Sequence, residues 1–282
     1  GLFVFEGTES DEHPIYYYRG AVTNNNVLFA NICWKIVRTT ETGGTKLIYN
    51  GSPTSDNKCT NITGTATQIN GTTYKWNNSY DNAKYVGYMY DNASSVAQHG
   101  TSESNAKVEV DKWYKTNIED KGYTNYLEDA VWCNERTIGE TLGSYIYYGA
   151  YTRLFTNKER PKVKDEEVCR EQNDRYTLPG NEKGNGALTY PVGLLTADEV
   201  VLAGGFFSNN STYYLYTSQV FWLLSPNDFN GSYAFVFYVA STGYPSYSTS
   251  GYSGGVRPSI SLGPGTTFSS GDGSTTTPYR VE

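Results

Sequence analysis

Val220-Phe-Trp-Leu-Leu-Ser225, Tyr233-Ala-Phe-Val-Phe-Tyr-Val239 and Val256-Arg-Pro-Ser-Ile-Ser-Leu262 are the stretches whose reading decides the fold. In the first, Val220, Trp222 and Leu224 alternate with Phe221, Leu223 and Ser225; in the last, Val256, Pro258, Ile260 and Leu262 alternate with Arg257, Ser259 and Ser261. A period of two places alternate side chains on opposite faces, which is the pattern of a strand. Separated by turn-rich sequence, the three are expected to lie in one small, mostly antiparallel sheet.

Working outward, Ile32, Trp34 and Ile36 alternate with Cys33, Lys35 and Val37, and Lys46-Leu-Ile-Tyr49 follows the turn residues Thr42-Gly-Gly44, so a β-hairpin is expected within Pro14–Gly51. Ser52–Asp81 is polar and turn-rich, with Asn61, Asn70 and Asn77 each in an Asn-x-Ser/Thr sequence, and reads as an exposed loop with little structure. Ala106, Val110, Trp113 and Asn117 recur at helical spacing opposite Lys107, Glu109, Lys112 and Lys115, which predicts a helix over 104–118. A shorter helix is expected over Tyr123–Asn134, with Tyr126, Leu127, Ala130 and Val131 on one side. Thr196-Ala-Asp-Glu199 is a capping-box pattern opening a third that stops at Gly204-Gly205. The fold class expected is α+β, a single domain over 1–262, followed by a Gly/Ser/Thr-rich tail or edge strand over 263–282.

The chain of 282 residues has 22 basic and 29 acidic side chains, a net charge of −7, and no basic stripe, so a nucleic-acid partner is not expected. Its longest apolar run, Tyr233–Ala240, is too short for a membrane span. Gly1 follows no charged and apolar leader, the expectation for a chain whose signal segment or anchor has been removed. Cys33, Cys59, Cys133 and Cys169 lack Cys-x-x-Cys spacing, and proximity favours bridges Cys33–Cys59 and Cys133–Cys169 among three possible connectivities. Disulfides point to an oxidising, extracellular or cell-surface compartment.

Chemistry is sparse. His13 and His99 stand apart in polar surroundings and read as solvated imidazoles. Asp165-Glu-Glu167 reads as a charged loop and Asp198-Glu199 as capping. Neither glycine pattern for phosphate binding occurs, and Pro226-Asn-Asp228 with Asn230 lacks the spaced carboxylates of a strong calcium site. No catalysis, cofactor or metal is expected. Asn227–Gly255, by contrast, holds five tyrosines, three phenylalanines, six serines and five glycines without Lys, Glu, Gln, Met or Trp. Tyrosine supplies contact area at low entropic cost while Ser, Gly and Asn adapt, the composition of antibody binding loops. Asn227, Phe229, Asn230, Tyr233, Phe235, Tyr244, Ser246, Tyr247, Tyr252 and Ser253 are therefore expected to form much of one exposed ligand-binding face.

The strings Tyr16-Tyr-Tyr-Arg-Gly20, Trp34-Lys-Ile-Val-Arg38, Gln172-Asn-Asp-Arg175, Gly193-Leu-Leu-Thr-Ala-Asp-Glu-Val200 and Trp222-Leu-Leu-Ser-Pro226, with Gly255-Val-Arg-Pro-Ser-Ile-Ser-Leu262 at the end, resemble a secreted domain family of gut Gram-positive bacteria over nearly the whole chain. The ending also resembles the C-type-lectin-like fold of formylglycine-generating enzymes and of the variable proteins of diversity-generating retroelements. The enzymes carry reactive cysteines near the end of the domain; here the last is Cys169. Resemblance to the variable proteins implies a diversified receptor or adhesin whose partner is a protein or glycan. It also implies codons derived from AAC with the third base unchanged, which cannot encode Lys, Glu, Gln, Met or Trp. The rival expectation is a structural surface protein, such as a pilus or coat component.

Overall fold

Trp34 and Tyr49 face each other across the antiparallel hairpin of Ile32–Thr39 and Thr45–Gly51, as do Ile36 and Leu47, and these apolar pairs supply the floor of the main core. Gly43, at φ 85°, makes the turn between the two strands, and Thr40 Oγ1 accepts the Gly44 N–H at 2.8 Å. The computed structural model describes residues 1–91 and 100–281; His99 lies outside the described residues. Around the hairpin an eight-stranded sheet runs in the order Leu2–Val4, Tyr16–Tyr18, Ile32–Thr39, Asn26–Phe29, Tyr279–Val281, Phe268–Ser270, with Thr45–Gly51 and Ser259–Leu262 branching from it. Within the last twenty residues, Tyr279–Val281 pairs parallel to Asn26–Phe29 while its antiparallel partner Phe268–Ser270 closes that edge.

A seven-stranded sheet forms the second half: Ile138–Leu142, Tyr145–Tyr148, Phe221–Phe229, Ala234–Val239 and Pro245–Thr249 in order, extended through Ser253–Gly255 to Thr73–Lys75. The chain is thus mixed α/β, mostly strand with few helices. One expectation is corrected here. Phe221–Phe229 and Ala234–Val239 do pair antiparallel, but the third stretch contributes Ser259–Leu262 to the other sheet, antiparallel to Thr45–Gly51. Ser259 and Ser261 are buried like Ile260 and Leu262, and the Ser259 hydroxyl satisfies itself on the Leu47 carbonyl at 2.6 Å, so the apparent alternation marks a strand covered on both faces.

The helix expected over 104–118 is an α-helix, Asn105–Tyr114, continued by a π turn over Lys115–Glu119, and it buries Ala106, Val110, Trp113, Tyr114 and Ile118. Thr196 and Glu199 form the expected capping box of Ala197–Ala203, and Gly204 ends that helix at φ 115°. Trp34, Trp76, Trp113, Trp132 and Trp222 are all buried, with Trp34–Trp113 and Trp76–Trp222 in edge contact at 5.9 and 6.1 Å; such pairs contribute about 0.5–1.5 kcal/mol beyond area burial.

Two further expectations fail. Tyr123–Asn134 holds a short 3₁₀ turn, Thr124–Tyr126, and the strand Trp132–Cys133 rather than a helix. Ser52–Asp81 is better ordered than its composition implies: Trp76 enters the core, Thr73–Lys75 pairs with Ser253–Gly255, and Asn77 is buried with its N–H on the Ser250 carbonyl at 2.8 Å, while Asn61 and Asn70 stay exposed. The bridges Cys33–Cys59 and Cys133–Cys169 are both formed. No helix among the described residues is long and apolar enough to cross a membrane.

Buried charge is paired with care. Glu199 accepts from Arg38 Nε at 2.8 Å and Lys46 Nζ at 2.6 Å, Asp198 and Glu135 both hold Arg153, and Asp174 holds Arg136. The Asp198-Glu199 pair therefore does more than cap a helix, and Asp165, read from sequence as part of a charged loop, lies 3.8 Å from Arg38.

Candidate functional site: a tyrosine column around an unpaired carboxylate

Cross-strand register builds the site. Tyr147 pairs with Asp228, Asp228 with Phe235 and Phe235 with Thr249, so one row crosses four strands of the second sheet on a single face. Two residues along, Phe237 pairs with Tyr247 on that same face. The Tyr145–Tyr148 strand then runs directly into the helical turn Gly149–Tyr151 and the π turn Thr152–Thr156. That geometry stacks residues four apart, Tyr147 on Tyr151 at 4.7 Å and Tyr151 on Phe155 at 5.3 Å, while Tyr145, two residues back on the same face of the strand, lies on Tyr147 at 5.8 Å. Phe207 caps the column, 4.0 Å from Phe155. Tyr247, 42 % exposed, stands edge-on to Tyr151, Phe155 and Phe235. Arg153 of the same turn points the other way, into its carboxylates, and Tyr148 into the core, which anchors the column from beneath.

Asp228 lies within this aromatic surface at 5 % exposure; its carboxylate has neither an ion-pair partner nor a hydrogen-bond donor among the described residues, and its oxygens keep a narrow contact with solvent. Burial alone pushes it up to about 7. The phenols of Tyr147, Tyr151 and Tyr247 are also raised, first by their own burial and further by the negative charge of Asp228, which places the carboxylate electrostatically among the three rings. Ring faces and one desolvated anion both attract a cation, and neither attracts an anion.

The ten residues singled out from sequence are not gathered on one face. Phe235 and Tyr247 join the column. Asn227 is 0 % exposed: the register runs from Pro226–Val236 to Asp228–Phe235, so Asn227 is the extra residue of a bulge and its amide is turned inward without a partner. Phe229 is half-buried against the main core, and Asn230 spends its oxygen on the N–H groups of Ser232 and Tyr233. Tyr233 rests on Tyr80 at 5.5 Å, Tyr244 sits half-buried in the Ala240–Tyr244 turn, and Ser253 is exposed on the short strand paired with Lys75. Ser246 pairs with Tyr238 on the reverse face, where Tyr252, 45 % exposed, stacks on Tyr238 at 6.1 Å. Tyr145, Tyr147, Tyr151 and Phe155 were absent from the sequence expectation, although the four-residue spacing of the last three was a readable signal. Searches of protein-family models, curated proteins and solved structures give no match to this chain.

Proposed function

We propose that the chain is a ligand-binding protein of the cell exterior, receptor- or adhesin-like and without catalytic activity, and that its binding face is the tyrosine column around Asp228. The single observation that carries this reading is a nearly buried carboxylate left without a partner inside an exposed aromatic surface, while the other buried acids among the described residues, Glu135, Asp174, Asp198 and Glu199, each hold an arginine or lysine. A carboxylate in this position either takes up a proton, as its rise to about 7 describes, or is held ionised by a cation supplied from outside the chain. A lysine or arginine side chain of a protein partner supplies both the ion pair and the cation–π contacts. The two disulfides and the lack of a membrane-crossing helix among the described residues support an extracellular setting. The test is titration with a lysine-rich peptide and with its acetylated form. Binding by the first, lost on acetylation and in Asp228→Asn, supports the reading; equal binding of both peptides removes it.

The C-type-lectin-like architecture and the retroelement origin belong to the same proposal. Their test lies in the gene: codons for Tyr233, Phe235, Tyr247 and Tyr252 ending in C, beside a copy carrying AAC at those places. A binding face without such a copy leaves a fixed-specificity adhesin. The structural-component reading draws on a different observation, the exposed apolar side chains Leu2, Phe3 and Val4 on an edge strand of the first sheet, an arrangement open to pairing with another chain. Concentration-dependent growth in solution mass favours that alternative.

A further inference from the structure

Every buried lysine and arginine among the described residues is paired with a carboxylate except Arg257: Arg38 and Lys46 hold Glu199, Lys107 holds Glu103 and Asp111, Arg136 holds Asp174, and Arg153 holds Glu135 and Asp198. In a chain with a net charge of −7, acids are not scarce. Arg257, 1 % exposed, instead donates to the carbonyls of Tyr49 and Leu215, both at 3.1 Å, and to Asn50 Oδ1 at 3.3 Å, with its guanidinium over the Phe221 ring at 4.8 Å. Lys35, on the adjoining strand, donates only to Asn26 Oδ1 at 3.0 Å and likewise has no carboxylate partner. Burial, and then the charge of Arg257, hold its ammonium down to about 8. Two cations thus lie close enough to repel each other, uncompensated by the chain.

Lys35 and Asn50 open onto a cavity of about 530 Å³, within the range of roughly 300–1,000 Å³ typical of small-ligand sites. No aspartate or glutamate lines it; the walls are hydroxyls and amides, among them Thr60, Asn61, Tyr214 and Thr217, with the Tyr216 ring beside them. Just behind the wall, closed off from solvent, the Tyr214 hydroxyl, on a residue more than nine-tenths buried, and the Thr217 hydroxyl have no hydrogen-bond partner among the described residues. The Cys33–Cys59 bridge ties one wall to the strand that carries Lys35, and the Cys59 N–H is held by the Thr275 carbonyl at 2.7 Å, so the cavity is rigidly framed.

We propose that this cavity binds a small saccharide bearing a carboxylate, with Lys35 as the charge partner and the hydroxyl and amide walls pairing the sugar hydroxyls. One ammonium with many neutral donors and acceptors matches a singly charged, polyhydroxylated ligand. A doubly charged phosphate would draw on more than one cation, and the Arg257 guanidinium is already committed to carbonyls, which leaves the single Lys35 ammonium. The site shares no lining residue with the tyrosine column and stands independently of the function proposed above.

Titration of the disulfide-intact protein with D-glucuronate, D-glucose and inorganic phosphate, followed by NMR or calorimetry, tests it. Glucuronate is expected to bind at least tenfold more tightly than glucose. Lys35→Met should erase that preference, Lys35→Arg should restore much of it, and Tyr247→Ser should leave it unchanged. Glucuronate affinity of the unsubstituted protein should also fall as pH rises past about 8, a readout that does not depend on any variant folding. Equal affinity for glucose and glucuronate, preference for inorganic phosphate, or no binding of glucuronate at millimolar concentration each overturns the proposal.

Discussion

Replacing Asp228 by asparagine removes a nearly buried carboxylate that has no partner among the described residues, and the structure sets both the sign and the scale of the response. Burial raises this group from 3.8 to about 7, so the folded protein binds its proton more tightly than the unfolded chain does. The associated stability is fully present below about pH 4 and is lost as pH rises through about 7. At about 1.4 kcal/mol per pH unit, a rise of this size has a ceiling of about 4 kcal/mol, and rearrangement of the surrounding tyrosines brings the expected figure to about 2 kcal/mol. Asn is a neutral near-isostere, so Asp228→Asn should match the unsubstituted protein at pH 4 and exceed it at pH 8. For a chain of this size the difference at pH 8 is about 4 °C in Tm. Thermal unfolding of both proteins between pH 4 and 8, disulfides intact, measures it. A constant Tm difference across that range, or a less stable variant at pH 8, would refute the argument that Asp228 is held uncompensated.

Glu199 should behave oppositely: Lys46 and Arg38 hold it down to about 2 despite its burial, so its stabilisation is present above the unfolded value near 4 and is lost as pH falls toward 2. Glu199→Gln leaves buried Lys46 without a carboxylate and Arg38 with only Asp165 at 3.8 Å, and should cost about 3–5 kcal/mol, read from denaturant unfolding at pH 7. Thr196→Ala removes one half of the capping box and should cost about 1 kcal/mol in the same assay. Tyr247→Ser, at an exposed ring, should leave Tm within about 1 °C while weakening binding of a lysine-rich peptide by about 2 kcal/mol, or roughly 30-fold. Selective loss of the Cys33–Cys59 bridge, through the paired change to serine, should lower stability by about 3 kcal/mol, seen as a shift of the urea midpoint.

What could be read from sequence was local. The Ile32–Gly51 hairpin has its own turn and its own alternation, and the capping box at Thr196 needs only four residues to announce itself. Tyr123–Asn134 misleads because Tyr126, Leu127, Ala130 and Val131 fit a helical period while distant partners claim the backbone. The Glu128 N–H goes to the Ser261 carbonyl, the Asp129 carboxylate accepts from Leu178 and Asn181, and Trp132–Cys133 pairs with Arg175–Tyr176 beside the Cys133–Cys169 bridge. Sheet membership was equally opaque, since period two fits Val256–Leu262 to either sheet and only the Tyr49 N–H bond to the Pro258 carbonyl and the register against Thr45–Gly51 decide it. The same limit hid half of the candidate site. Asp228 and Tyr247 lie in the segment that composition singled out, but Tyr147, Tyr151 and Phe155 arrive from some 80 residues earlier through strand pairing.

That pairing also constrains how the segment can vary. A binding surface built on strands exposes at most alternate residues, because the pleat sends the others inward. Ala234, Val236, Phe237 and Val239 are core, Asn227 fills a bulge, and Asn230 fixes the turn through which Tyr233 leaves it. Substitution at any of these is a folding event before it is a change of specificity, and each carries the cost of a cavity, an orphaned backbone donor or a broken turn. Tyr233, Tyr247, Tyr252 and Ser253 are the exposed positions among the ten, and they are divided among separate parts of the surface: Tyr247 beside Asp228, Tyr252 over Tyr238, Tyr233 on Tyr80. Variation confined to Asn227–Gly255 therefore samples several small patches rather than one broad face. The stacked rings Tyr145, Tyr147, Tyr151 and Phe155 lie outside that segment, whereas Asp228 and Phe235 beside them lie within it, and Tyr247 is the one of these four exposed positions that touches the stack.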